Sequence, residues 1–306
     1  MNLAHVHIVL NHVPSLGCIA GLVLLAAAIR AKNDALKMFS FQILVLVAMS
    51  LLPTYITGAE AQRAVRSSPV VSKALIQVHQ NAAMVTLLAM TLTGTLAWFG
   101  LWQMRRFSRP GSLTTAGTLV AALVTAILIF GTANVGGKIS HGEIREDADT
   151  KVTVEEGWRE PIELFVSAHS WIWPAAETVH FIGMCMLFGM SLLFLMRMLG
   201  GVKTIPFAAL HRLMPLGILG FDLNVLTGML FFIASPGLYL GKNSFHLKMA
   251  CIILATVPLL YFTFSSEAWN VQSEKTATAK SKFAAVATFV LVVIVVIYGR
   301  LLPFLN

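Results

Sequence analysis

Charge is what this chain lacks. Asp, Glu, Lys and Arg supply 12% of its 306 residues, about half the share found in soluble domains. So few charges cannot clothe a water-soluble globule of this length. Cysteine is equally scarce. Cys18, Cys185 and Cys251 all fall in apolar runs and form no CxxC or CxxCH, which excludes a disulfide framework and a covalently attached haem; each reads as a small packing residue. There is no GxGxxG, Walker or HExxH motif, no Ser-His-Asp set and no polar region large enough for a catalytic domain. An enzyme acting alone is therefore not expected; a subunit of an oxidoreductase complex is compatible with these absences. The 22 Lys and Arg outnumber the 14 Asp and Glu, but they are scattered between apolar runs. That pattern suits anionic lipid and loop orientation and carries no nucleic-acid footprint.

What is present is hydrocarbon. Apolar residues make up 57% of the chain and mean hydropathy is +0.78. Runs of about 20 apolar residues read as transmembrane helices, and eight are visible, at 5–29, 38–58, 75–102, 114–135, 172–197, 208–234, 244–265 and 283–304. The first is too long for a cleavable signal and has no Lys or Arg before it. Fold class is all-α: a polytopic membrane protein of about eight spans in two similar four-helix bundles, 1–135 and 171–306, joined by an acidic loop, 136–170. The loops holding Arg30, Lys32 and Lys37, then Arg105, Arg106 and Arg109, then Arg197, Lys203 and Arg212 are placed in the cytoplasm by the positive-inside rule. Both termini and the acidic loop are then periplasmic, in a bacterial inner membrane. Arg63, Arg66 and Lys73 run against this orientation. Residues 153–168 have the spacing of an amphipathic surface helix, and Trp158, Trp171 and Trp173 read as an interfacial belt.

The chain repeats itself. His12 aligns with His180, Gly21 with Gly189, Thr57-Gly58 with Thr227-Gly228, Ser68-Pro69 with Ser235-Pro236, and His79 with His246. His12 and His79 are 67 positions apart, His180 and His246 are 66. Ionisable groups inside spans are costly and mark function. Two neutral imidazoles from facing helices of a bundle can hold a b-type haem. The expected cofactor is accordingly haem b, one or two copies, with His12 and His79 as ligands in one half and His180 and His246 in the other. His7 is the substitute if His12 points away. Glu177, one turn before His180, can orient that imidazole; Asp222, mid-span, can relay protons or meet a propionate. Gly17, Gly21, Gly183 and Gly189 can leave room for the macrocycle. The alternative is metal handling or small-solute transport by the same histidines, with His5, His7, His12, His79, His141 and Glu143 converging. His211 reads as a solvated end residue and His169 as exposed.

Residues 5–145 resemble an uncharacterised bacterial four-helix membrane family through HVHIVLNHVP, LPTYITGAEAQ, SKALIQVHQNAA and NVGGKISHGEI; Gln80 stands where that family carries an acidic residue. Residues 177–265 resemble a second uncharacterised membrane family through HFIGM and GFDLNVLTGMLFFIASPGLYLGKNSFHLKM, with Asp222 in place of an apolar residue. These resemblances imply a fusion of two bundles and no activity. The whole also resembles b-type cytochrome membrane subunits, which implies electron transfer between quinone and a periplasmic redox protein or other subunits of a membrane complex. The orientation is directly testable: alkaline phosphatase fused after Asn306 should be active and a cytoplasm-dependent reporter silent, and the opposite pair of results would overturn it.

Overall fold

The structure, a computed structural model, describes residues 3–65, 71, 73–140, 165, 166, 168–265, 269 and 277–302. The described residues form helices and no strand: α1 (Leu3–Leu10), α2 (His12–Arg30), α3 (Asp34–Val65), α4 (Lys73–Phe107), α5 (Ser112–Ser140), α6 (Ile172–Met198), α7 (Phe207–Ala234), α8 (Asn243–Phe264) and α9 (Ala279–Leu301). Among these, eight spans of 22 to 34 residues are long and apolar enough to cross a membrane, one for each apolar run. The chain is an all-α, multi-pass membrane protein.

α1 and α2 make one span. Asn11 keeps helical dihedrals (φ −63°, ψ −20°), and its N–H donates to the His7 carbonyl at 3.0 Å. The ladder breaks there because Pro14 has no N–H for the Leu10 carbonyl. The helix ends at Arg30 and Met198 close with reversed turns. Lys32 (φ 49°) and Gly200 (φ 86°) take the left-handed position, and the next N–H of each, from Asn33 and Gly201, returns to the Ala28 and Met196 carbonyls.

Large apolar side chains face outward, and hydroxyls are buried within an apolar core. Leu113 is 86% exposed and Phe130 77%, while Ser40, Thr93, Thr118, Thr125 and Ser281 are fully buried. Only a hydrocarbon solvent makes that arrangement favourable, because exposed apolar surface then costs nothing and buried hydroxyls can bond. Those bonds are on view: Ser40 Oγ donates to the Gly21 carbonyl at 2.8 Å, and the Thr93 and Thr125 hydroxyls meet at 2.9 Å.

The chain divides into two compact units, 1–97 with 112–167 and 98–111 with 168–306. The division departs from a cut at the acidic loop in one respect. The last turns of α4 belong to the second unit, where Trp98 Nε1 donates to Thr263 Oγ1 at 2.7 Å and Trp102 Nε1 to the His211 carbonyl at 2.7 Å. Arg105 caps the C-terminal carbonyls of α8, donating to Thr263 O at 3.0 Å and to Phe264 O. The acidic loop, with His141, Glu143 and most of the expected surface helix, lies outside the described residues.

Small residues set helix spacing. A Cβ on Gly94 would come within 2.3 Å of Ala48 Cβ, an atom too short to swing aside. Gly94→Leu should therefore destabilise the protein by about 1–3 kcal/mol, read as a lower melting temperature in detergent. Gly131→Leu, which faces open space, should leave it unchanged.

Candidate functional site

Within the first unit, two imidazoles are held in the same way. His7 Nδ1 lies 3.0 Å from the Thr54 carbonyl on α3. His79 Nδ1 lies 3.0 Å from the Thr132 carbonyl on α5. In both cases a glycine follows four residues after the accepting threonine. A Cβ on Gly58 would meet His7 Cε1 at 2.9 Å, and one on Gly136 would meet His79 Cε1 at 3.0 Å. The reason is helical: the residue at i+4 stands over the carbonyl of residue i, so glycine there uncovers the oxygen and makes a flat seat for the ring. A carbonyl can only accept, so each neutral ring carries its proton on Nδ1 and presents a lone pair at Nε2. Neither Nε2 has a hydrogen-bond partner among the described residues, and the two rings are near enough to interact electrostatically. The seats are braced. Thr132 Oγ1 meets Thr86 Oγ1 at 2.9 Å, and Thr57 Oγ1 donates to the Thr54 carbonyl at 3.0 Å. One residue beyond His79, the buried Gln80 Oε1 has no partner among the described residues.

The second unit repeats the device with a change. His180 Nδ1 lies 2.7 Å from Thr227 Oγ1 on α7. That hydroxyl spends its proton on the Leu223 carbonyl, so it must accept from the ring, and His180 also keeps Nε2 open. Gly228 lies against the imidazole, with an added Cβ 3.9 Å from Cε1. The group on the third helix of this unit that packs on a glycine of the fourth is Lys248: a Cβ on Gly299 would meet its Nζ at 3.2 Å. Lys248 and His180 interact electrostatically. Lys248 is thus the counterpart of His79.

This placement moves two expected ligands. His12 is exposed, and its Nδ1 turns back to the Ile8 carbonyl of its own span at 2.9 Å. Five residues separate it from His7, roughly 140° around a helix of 3.6 residues per turn, so only one of them can face the bundle, and His7 does. His246 likewise turns to its own helix, Nδ1 to the Lys242 carbonyl at 3.0 Å. The structural repeat pairs His7 with His180, each 47 positions before its threonine, in place of His12 with His180. Glu177 is exposed and accepts from Trp173 Nε1 at 3.0 Å; Thr227 holds His180 instead. Asp222 is buried on α7. The small residues expected to make room for a macrocycle pack helices. Gly17 and Gly21 abut Val47 and Leu44, and Gly183 crosses Gly220 so closely that a Cβ on either would come within 3.0 Å of the other's carbonyl oxygen. Gly189 alone of the four faces open space. His5 and His169 are exposed.

His211 was expected in solvent and is 6% exposed. It stacks on Trp102 at 21° and 6.4 Å and meets the edge of Trp269 at 5.0 Å. Its Nε2 has no partner among the described residues. Its neighbour Arg212 suggested a wet helix end; the indoles that cover it come from distant sequence. Nearby, Arg197 lies 3.8 Å over the Phe207 ring, a cation–π contact that shelters a buried guanidinium.

No family model matches this chain, and comparison with curated proteins and with solved structures returns no match. The site stands on its geometry. Gly58→Ala and Gly136→Ala should each push an imidazole off its carbonyl and cost about 1 kcal/mol of stability for the lost bond, read as a lower melting temperature in detergent. His12→Ala, on the exposed face, should change stability by less than about 0.5 kcal/mol.

Proposed function

We propose that the first unit binds one b-type haem between His7 and His79, and that the protein is a membrane electron-transfer subunit. The observation that carries this reading is the pair of imidazoles whose Nδ1 atoms are spent on threonine carbonyls and whose Nε2 lone pairs have no partner. A carbonyl-bonded Nδ1 fixes the tautomer and orientation that an iron ligand needs. The donor set would suit a haem, whose iron two neutral imidazoles would hold. It fits a tetrahedral zinc or copper site less well, since the described residues contain no group of three or more His, Cys, Asp or Glu able to hold an ion.

In this reading His7 and His79 would hold the iron, with Thr54 and Thr132 fixing the two rings and Gly58 and Gly136 leaving them room. The haem supplies one-electron transfer. Loop charge puts the site toward the periplasmic side of a bacterial inner membrane, with both termini outside, where electrons pass between membrane quinone and a periplasmic redox partner. The second unit, with Lys248 where His79 would be, offers no matching pair, so the count is one haem.

Protein purified from haem-replete cells should show a Soret band and reduced-minus-oxidised bands of a six-coordinate b-type centre. His7→Ala and His79→Ala should each remove them, while His12→Ala and His246→Ala should retain full absorbance. A colourless wild type, or equal haem in the His7→Ala and His12→Ala proteins, would overturn the proposal.

A further inference from the structure

At one end of the second unit α4, α6 and α8 finish and α7 and α9 begin. Direct contacts knit these segments together. Trp102 Nε1 of α4 donates to the His211 carbonyl of α7 at 2.7 Å, Arg105 of α4 donates to the Thr263 carbonyl of α8 at 3.0 Å, and the Tyr261 hydroxyl of α8 meets Ser281 Oγ of α9 at 2.9 Å. This end carries Arg105, Arg106, Arg109, Arg197, Lys203, Arg212, Lys280 and Lys282, and no Asp or Glu among the described residues. Two of these cations are turned to the protein: Arg105 covers the α8 carbonyls, and Arg197 donates to the Ile205 carbonyl and lies over Phe207. The other six have no carboxylate within ion-pair distance among the described residues. The turn between α2 and α3 in the first unit is different, because there Asp34 pairs with Lys37 at 2.8 Å.

Arg106 and Arg212 flank one aromatic step. Arg106 Cζ lies 5.8 Å over the Phe107 ring, and Phe107 lies 5.8 Å from Trp102. Trp102 in turn stacks on His211 at 6.4 Å, and Arg212 follows His211 in the chain. Arg212 is exposed. Four and seven residues further along α7, on the same helical face, stand Leu216 and Leu219, 46% and 41% exposed. Phe107 is exposed as well. An exposed guanidinium heading an exposed apolar strip, beside a tryptophan, suits the boundary between lipid headgroups and acyl chains.

Guanidinium forks bind phosphate oxygens bidentately, and the leucine strip binds hydrocarbon. A free anion would use the first feature and leave the second bare; an amphiphile with a phosphate at its head uses both. We infer that this end of the second unit binds an anionic phospholipid, its phosphate between Arg106 and Arg212 and an acyl chain along Leu216 and Leu219. A zwitterionic phospholipid presents the same phosphate beside its own cation, which the surrounding Lys and Arg repel, so the site selects headgroups of net negative charge. The inference is separate from the haem of the first unit, and either can fail alone.

The test is native mass spectrometry of the full-length protein, stripped of lipid in detergent and then mixed with equal amounts of phosphatidylglycerol and phosphatidylcholine of identical acyl chains. The wild type should retain phosphatidylglycerol over phosphatidylcholine by about tenfold. Arg106→Gln combined with Arg212→Gln should bring that ratio to within about twofold of unity, and each single change should fall between. Arg30→Gln combined with Lys32→Gln removes as much charge from the first unit and should keep the wild-type ratio. Neither Arg106 nor Arg212 is ion-paired among the described residues, so their double variant should melt at the wild-type temperature in lipid-free detergent. Equal binding of the two lipids by the wild type would overturn the proposal whatever the variants do. An equal fall in the ratio for Arg30→Gln with Lys32→Gln would overturn the site, because net charge alone would then explain the preference. Release of bound phosphatidylglycerol by inorganic phosphate, but not by chloride at matched ionic strength, would show a free-anion site and overturn the lipid assignment.

Discussion

In hydrocarbon no water is available to bond a backbone carbonyl, so each helix must satisfy its own. Nearly everything distinctive in this protein follows from how its polar side chains fit that constraint. Serine and threonine hydroxyls bond carbonyls a turn back, as Thr86 does to Ala82 and Thr288 to Ala284. The helices thus carry buried hydroxyls without exposing unpaired atoms. The imidazoles do something more particular. They take a second lone pair from carbonyls on another helix, at the two points in the first unit where a glycine one turn later leaves the oxygen uncovered.

That device separates the histidines by role. Those that bond across to another helix, His7, His79 and His180, are held rigidly with Nε2 open. Those that bond their own helix, His12 and His246, are satisfied locally and can contribute little to a shared site. A single criterion, own helix or partner helix, sorts residues that look alike by spacing. It also sets the two units apart. Both units pin an imidazole from the first helix to the second and seat a third-helix group on a fourth-helix glycine. One unit has histidine there and the other lysine, which puts a cation where the first unit has a second open imidazole nitrogen.

The opposite end of the second unit is built on another principle. Trp98, Trp102 and Trp269 donate their indole N–H groups to a hydroxyl and two carbonyls, and the Trp102 and Trp269 rings flank His211. Arg105 covers the last carbonyls of α8, where the helix dipole is negative and the orphan acceptors need donors. Aromatic and guanidinium groups here do at a helix terminus what hydroxyls do within the spans.

The sequence alone determined the solvent, the number of spans and their limits. Twenty-residue apolar runs have only one stable form in lipid, and Pro14, Gly200 and the basic loops mark breaks and ends by local chemistry. It also exposed histidines at similar spacings in the two halves. The alignment of the halves at His12 differs from the structural match, because His12 and His7 lie in one apolar stretch and it is His7 that, like His180, bonds a residue 47 positions later. The signal that would have found His7 was present as T-x-x-x-G at Thr54–Gly58 and Thr132–Gly136, but it is meaningful only once a facing ring is known. Lys248 was passed over because a lysine near a span's end ordinarily reaches for the interface. Which way a side chain points depends on the rotation of each helix about its axis, and packing against neighbours sets that rotation. A one-dimensional pattern of apolar residues on every face, as in lipid-exposed helices, leaves it undefined; tertiary structure alone decided that His7, His79, His180 and Lys248 face inward and that His12 does not.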